Sequence, residues 1–175
     1  MDKGLLQFYV GDGKGKTTAA VGQLVRAKGS ALRCEMFQFL KNTPSGECAA
    51  MDTLGIPVHR AQTESDKFVF QMSAAEKGAY LMAQRQLYTK AIRDIRSGEW
   101  DVVALDEVLD LLDMGALDMD ALRMALSSRP ETVEVLLTGR RIPRKLYDIA
   151  DYITELRAVK HPYAEGVKAR KGIEF

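Results

Sequence analysis

The stretch Leu5-Leu6-Gln7-Phe8-Tyr9-Val10-Gly11-Asp12-Gly13-Lys14-Gly15-Lys16-Thr17-Thr18 decides the fold. Its first six residues are largely apolar and stop at a glycine, the pattern of a strand buried on both faces of a parallel sheet. Beyond the glycines the period changes. Ala20, Val21, Leu24 and Val25 recur at helical spacing between Thr17 and Lys28, and Gly29 stands where a left-handed C-terminal cap belongs. Between strand and helix, glycines free successive backbone N–H groups to turn toward one point, and the helix adds its positive end there. The expected product is a P-loop that holds a nucleotide triphosphate through Gly11, Asp12, Gly13, Lys14, Gly15, Lys16, Thr17 and Thr18. Lys16 would set a compact charge on the phosphate oxygens, and the Thr17 hydroxyl suits Mg²⁺ as a hard oxygen ligand. One feature departs from G-x-x-x-x-G-K-T: the position of its first glycine is Val10.

Outward from this loop the strand and helix periods alternate. Strands are expected at Cys34 to Leu40, Ile56-Pro57-Val58, Asp101 to Asp106, Thr132 to Thr138 and Tyr152 to Leu156. Helices are expected from the capping box Ser73-Ala74-Ala75-Glu76 to about Ser97, from Asp118 to about Ser127, and briefly after Pro143. This order predicts an α/β fold of the P-loop NTPase (RecA-like) type: about six parallel strands with right-handed crossovers and helices on both faces. At 175 residues the chain has the size of one domain, spanning 1–175. Lys41 to Ala50 and Ala61 to Met72 fit neither period and follow strand ends, where ligands of open α/β sheets bind.

Composition excludes several function classes. With 25 Lys+Arg against 24 Asp+Glu the formal charge is +1, too balanced for a nucleic-acid surface, so any anion site must be local. No apolar run approaches the about 18 residues of a membrane span. Met1-Asp2-Lys3 leads straight into a strand, which points to a cytoplasmic protein. Cys34 and Cys48 are too few for a disulfide framework and read as reduced thiols.

A second anchor is Val102-Val103-Ala104-Leu105-Asp106-Glu107, an apolar strand that delivers two carboxylates to the sheet edge bearing the phosphate loop. Acidic residues there hold or order a metal, and Glu107 joins Thr17 as an expected Mg²⁺ ligand. In a hydrolase Glu107 would also be the natural base for water. In Thr138-Gly139-Arg140-Arg141, Arg140 either reaches a phosphate with its planar fork or is a surface arginine at a strand end. His59 and His161 are the only histidines and show no ligand spacing. Phe68-Val69-Phe70 reads as an extended segment with two rings on one side, and core packing is its default explanation.

Taken together, Gly11 to Ala20, Gln38-Phe39-Leu40-Lys41, Val103-Ala104-Leu105-Asp106-Glu107, Arg129-Pro130, Thr138-Gly139-Arg140, Ala150-Asp151-Tyr152-Ile153-Thr154-Glu155, Lys160-His161-Pro162 and Gly172-Ile173-Glu174 resemble the ATP:corrinoid adenosyltransferases of the bacterial cobalamin-synthesis type. The resemblance covers nearly the whole chain and rests on the order and spacing of these stretches. It implies a homodimeric, Mg²⁺-dependent enzyme in which a cobalt(I) corrinoid attacks C5′ of ATP and expels triphosphate. A flavoprotein reductase is the implied source of cobalt(I). Lys16, Thr17, Glu107 and Arg140 are the implied catalytic set, and Phe68 and Phe70 the implied corrinoid contacts, although a tryptophan is common at the second position in relatives. An N-terminal extension commonly folds over the active site in this family. Only about four residues precede the first strand here, so either this is a short form with a more open site or another segment closes it. The competing readings are a P-loop ATPase or small-molecule kinase that cuts at the γ-phosphate, and a non-catalytic nucleotide- or corrinoid-binding partner.

Overall fold

The computed structural model describes residues 2–41, 43–63 and 69–174. Six strands form one sheet in the order β3-β2-β4-β5-β1-β6: β1 Leu6–Val10, β2 Cys34–Gln38, β3 Val58–Arg60, β4 Val102–Asp106, β5 Glu134–Thr138 and β6 Tyr152–Glu155. Every pairing is parallel. The helices are α1 Lys16–Gly29, α2 Gly46–Thr53, α3 Ala74–Ser97, α4 Val108–Asp113 and α5 Met119–Ser127, with 3₁₀ turns at Val69–Gln71, Arg144–Ile149 and Pro162–Glu165.

Two cores flank the sheet, and the two-residue period of the strands assigns each side chain to one of them. Ala20 and Leu24 of α1 and Met51 of α2 pack with Cys34, Met36, Val102 and Ala104 on one face. The other face joins Leu87, Ala91 and Ile95 of α3 and Leu122 and Leu126 of α5 to Phe8, Phe37, Val103 and Leu105. Helices therefore cover both faces, as the alternation predicts. All five residues of β2, β4 and β5 are buried, which explains their nearly unbroken apolar runs. β6 is exposed along its whole length at the free edge beside β1.

Several boundaries differ from expectation for physical reasons. Helix α1 runs through Gly29, and the left-handed residue is Ala31 at φ 60°, so Gly29 does not serve as the left-handed cap. β2 stops at Gln38 because Leu40 turns to φ 57°. β3 starts at Val58, after Pro57, which lacks an N–H for the ladder; the Pro57 carbonyl instead accepts from Met36 N at 3.0 Å. The stretch 41–50 contains the start of α2, and α4 follows β4 directly. Val69–Gln71 is a 3₁₀ turn where an extended segment was expected, and Phe68 lies outside the described residues.

Candidate active site

Glycine conformation fixes the phosphate loop. Gly11 has φ +116°, and a Cβ there would stand 2.2 Å from the Leu156 carbonyl oxygen. That contact arises because Leu156 N donates to Val10 O at 2.7 Å while Gly13 N donates to Leu156 O at 2.8 Å, drawing the chain beyond β6 along the loop. Gly15 begins α1 at φ +112° without a capping side chain, so the first N–H groups of that helix have no cap to occupy them. Lys16 Nζ donates to the Gly13 carbonyl at 2.8 Å, folded back over the loop whose phosphates it would contact.

Behind the loop, Asp106 ends β4 fully buried. Its Oδ1 accepts from Thr17 Oγ1 at 2.8 Å and from Thr138 Oγ1 at 2.7 Å. Its Oδ2 has no hydrogen-bond partner and is neutralised by an ion pair with Lys41 Nζ at 3.0 Å. Lys41 also bonds Glu47 at 3.0 Å, and Glu47 accepts from Gln38 Nε2 at 2.7 Å. Burial alone would lower the Lys41 ammonium, but Asp106 and Glu47 outweigh it and leave the group above its usual value. Burial likewise opposes ionisation of Glu47, yet hydrogen bonds from Ser45, its own backbone and Lys41 bring it down to about 2. Lys41 and Glu47 are thus a charged pair spanning the loop after β2.

Glu107 follows with left-handed backbone, φ 61° and ψ 14°, and its N–H donates to Thr138 Oγ1 at 2.8 Å. A non-glycine residue pays conformational strain in this region, and β4 turns into α4 across that single residue. Burial, reinforced by the neighbouring Asp106 carboxylate, pushes the Glu107 carboxyl up to about 7. Glu107 opens into a cleft of about 1000 Å³, together with Thr17, Thr18 and Val21 of α1, Leu40, Lys41 and Glu47 around the start of α2, and the C-terminal residues Ala169, Gly172, Ile173 and Glu174. Glu174 is tied to the phosphate loop by an ion pair with Lys14 at 3.0 Å and to Arg170 at the same distance. The C-terminal segment forms one wall of the cleft.

Thr17, Thr18 and Glu107 line this cleft, and Lys16 lies beside it. Asp12 is on the outer side of the loop, where its Oδ1 accepts from Ala158 N at 3.2 Å. Arg140 touches the site through its backbone: its carbonyl accepts from Gly11 N at 3.0 Å and its N–H donates to Asp110 at 2.9 Å. Its side chain is exposed, and Arg140 is not among the residues that wall the cleft. Phe70 is described by its backbone alone. Lys41, Glu47 and Thr138 are the polar residues that sequence reasoning left out of the site. Thr138 belongs to Thr138-Gly139-Arg140 and Lys41 to Gln38-Phe39-Leu40-Lys41, but their shared partner Asp106 is set by the sheet order, which places β5 between β1 and β4.

Oxygen donors converge here: the Thr17 hydroxyl, the Glu107 carboxylate and the Asp106 carboxylate, whose Oδ2 is paired with Lys41. Such an all-oxygen set beside a phosphate loop fits Mg²⁺. Among the described residues no helix is long and apolar enough to cross a membrane.

The family model described as ATP:corrinoid adenosyltransferase BtuR/CobO/CobP matches residues 2–175. The corrinoid adenosyltransferase of Escherichia coli strain K12 is 33% identical over 175 residues, 99% of this chain and 87% of the relative. The corrinoid adenosyltransferase CobA of Salmonella typhimurium is also 33% identical with the same coverage. A corrinoid adenosyltransferase of Sinorhizobium sp. is 30% identical over 176 residues, 99% of this chain and 81% of the relative. With its phosphate loop, its acidic strand end and a match along its whole length, the chain belongs to the ATP:corrinoid adenosyltransferases, the family that transfers the adenosyl group of ATP to a corrinoid.

Proposed function

We propose that the cleft binds ATP with its triphosphate on Gly11–Thr18 and presents C5′ of the adenosine to the cobalt(I) of a corrinoid. Cobalt donates its electron pair to C5′, the cobalt–carbon bond forms, and the C5′–oxygen bond breaks with its electrons leaving on inorganic triphosphate. The metal centre of the substrate is the nucleophile, so no side chain has to remove a proton. The protein's task is to position C5′ and to stabilise charge growing on the leaving group.

One observation carries this reading: Lys16 folds back over the glycine loop, and Thr17 and Glu107 line the cleft beside it. Lys16 swings from the Gly13 carbonyl to the phosphates. Thr17 and Glu107 would hold Mg²⁺, with Asp106 behind them, and the ion would supply positive charge to the triphosphate. Lys41 keeps Asp106 neutralised until then. Arg140, exposed at the rim, reaches a phosphate only by turning inward when ATP binds.

Phe68 and Phe70 cover the lower face of the corrin and exclude its axial base in this reading. Alanine at either position should leave ATP affinity nearly unchanged and impair the reaction more with cobalamin than with cobinamide, which lacks the base. Equal impairment with both, together with a large fall in thermal midpoint, would return the two rings to the core. A homodimer and a flavoprotein reductase that delivers cobalt(I) complete the proposal. The exposed Tyr152 and Ile153 on edge strand β6 offer apolar surface for self-association, which sedimentation of the untagged chain checks. The general test is ATP consumption under anaerobic conditions: it should require reduced corrinoid, and steady ADP release in its absence would instead support an ATPase.

A further inference from the structure

Away from the cleft, on the α3 face of the sheet, three elements bring a second group of ligand-type side chains together. Glu35 of β2 is fully buried, and its Oε2 lies 3.1 Å from His59 Nε2 of β3. Its Oε1 has no hydrogen-bond partner. Asp94 of α3 is 5% exposed. One donor atom from each of Glu35, His59 and Asp94 lies within 4.8 Å of the others.

A cation already sits among them. Lys90, one helical turn before Asp94, contacts the Asp94 carboxylate and places its ammonium 3.3 Å from His59 Nε2 and 3.8 Å from Glu35 Oε2. The same ammonium lies 5.0 Å above the Phe37 ring, which is itself 4.7 Å from the His59 ring. Arg93 reaches Asp94 from the surface at 3.1 Å, so Asp94 is well supplied with positive charge. Glu35 is not: it is a buried carboxylate with one oxygen unused and its nearest ammonium beyond hydrogen-bond reach. A buried carboxylate in that condition is costly unless a cation or donor completes it.

We propose that Glu35, His59 and Asp94 form a structural site for a divalent transition metal of the zinc class, for which the Lys90 ammonium is the built-in competitor. One imidazole and two carboxylates match the nitrogen and oxygen ligands that zinc takes, and they exclude Mg²⁺, which favours oxygen alone and retains water. A metal among the three would engage the idle Glu35 oxygen. Lys90 can make way, because its side chain is 34% exposed and its four-carbon stem is flexible. His59 is 26% exposed on the same side, which gives an entering ion its path. The ion would clamp β3, an edge strand of three residues, to β2 and α3. Linear spacing cannot reveal such a site, because each ligand comes from a different element.

The test titrates Co²⁺ into the untagged, chelator-treated full chain in excess Mg²⁺ and reads the visible absorption bands. One equivalent should generate bands, and Zn²⁺ should abolish them and raise the thermal midpoint. The near-isosteric Glu35→Gln and His59→Gln variants should lose both the bands and the midpoint rise. Lys90→Met removes the competing ammonium and should tighten Co²⁺ at least about tenfold. Bands that survive unchanged in His59→Gln would overturn the site, as would a Lys90→Met variant that folds but binds Co²⁺ no better. Absence of bands from the parent chain and from Lys90→Met alike would make the cluster an ionic network and nothing more.

Discussion

Lys16 and Glu107 carry predictions of opposite kinds. Lys16 Nζ touches only the Gly13 carbonyl at the loop, so Lys16→Ala should fold with an unchanged thermal midpoint. Loss of one charge-assisted contact to a developing anion should lower kcat by about a hundredfold, or about 3 kcal/mol. Normal turnover, or an unfolded variant, would remove the lysine from the leaving-group site. Glu107 acts on stability through pH. Burial and Asp106 raise its carboxyl from 4.5 to about 7, so between those values the folded protein holds a proton that the unfolded chain has released. Raising the pH through this window therefore draws the equilibrium toward unfolding. The stability is intact below 4.5 and the loss is complete above about 7. Glu107→Gln keeps the shape and cannot ionise. Denaturant midpoints at about pH 5 and about pH 8 should differ less in that variant than in the parent, and equal differences would contradict the raised carboxyl.

At the scale of elements, helix α3 rests on a full capping box: Ser73 Oγ accepts from Glu76 N at 3.3 Å, and Glu76 Oε2 accepts from Ser73 N at 2.8 Å. Ser73→Ala should cost about 1 kcal/mol of stability in denaturant unfolding and leave nucleotide binding unchanged. Gly11→Ala is different, since a Cβ at φ +116° would enter the Leu156 carbonyl. It should lower the thermal midpoint and weaken ATP binding together, and loss of neither would show that the loop does not depend on the chain beyond β6. Elements with such local chemistry were legible in the sequence: α3 by its box, α5 by Asp118, and the strands β4 and β5 by apolar runs that follow from burial on both faces, whereas β1, expected to be buried on both faces, leaves Gln7 and Tyr9 partly exposed. Helix α2 was not, because Met51 is its one buried residue and no stripe marks it. Helix α4 was hidden because Val108, Leu109, Leu111 and Leu112 are all buried and continue the apolar run of β4, while the break at Glu107 uses a residue with no intrinsic preference for left-handed backbone. The acidic pair Asp106-Glu107 was legible as a motif. The Lys41 partner of Asp106 was not, because the contact joins the loop after β2 to the end of β4 and needs the strand order to be known.

Over the whole molecule, the sheet order places the end of β5 between the phosphate loop and the acidic end of β4, so Thr138 links Asp106 to Glu107 while Thr17 reaches across from α1. The C-terminal segment then walls the cleft, held through Glu174 to Lys14. Glu174→Ala should loosen that wall and raise the KM for ATP without changing the thermal midpoint, because solvent screens an exposed ion pair of this kind. An unchanged KM would mean that this ion pair does not help to close the site. Adenosyl transfer requires that the bond broken in ATP is the one between C5′ and oxygen. The most direct measurement is anaerobic incubation of the protein with ATP, Mg²⁺ and chemically reduced cobalamin, following the cobalt–carbon spectrum and the phosphate products of the same sample. Inorganic triphosphate should appear in step with alkylated cobalamin, one for one; ADP and orthophosphate, with no cobalt–carbon bond formed, would contradict adenosyl transfer.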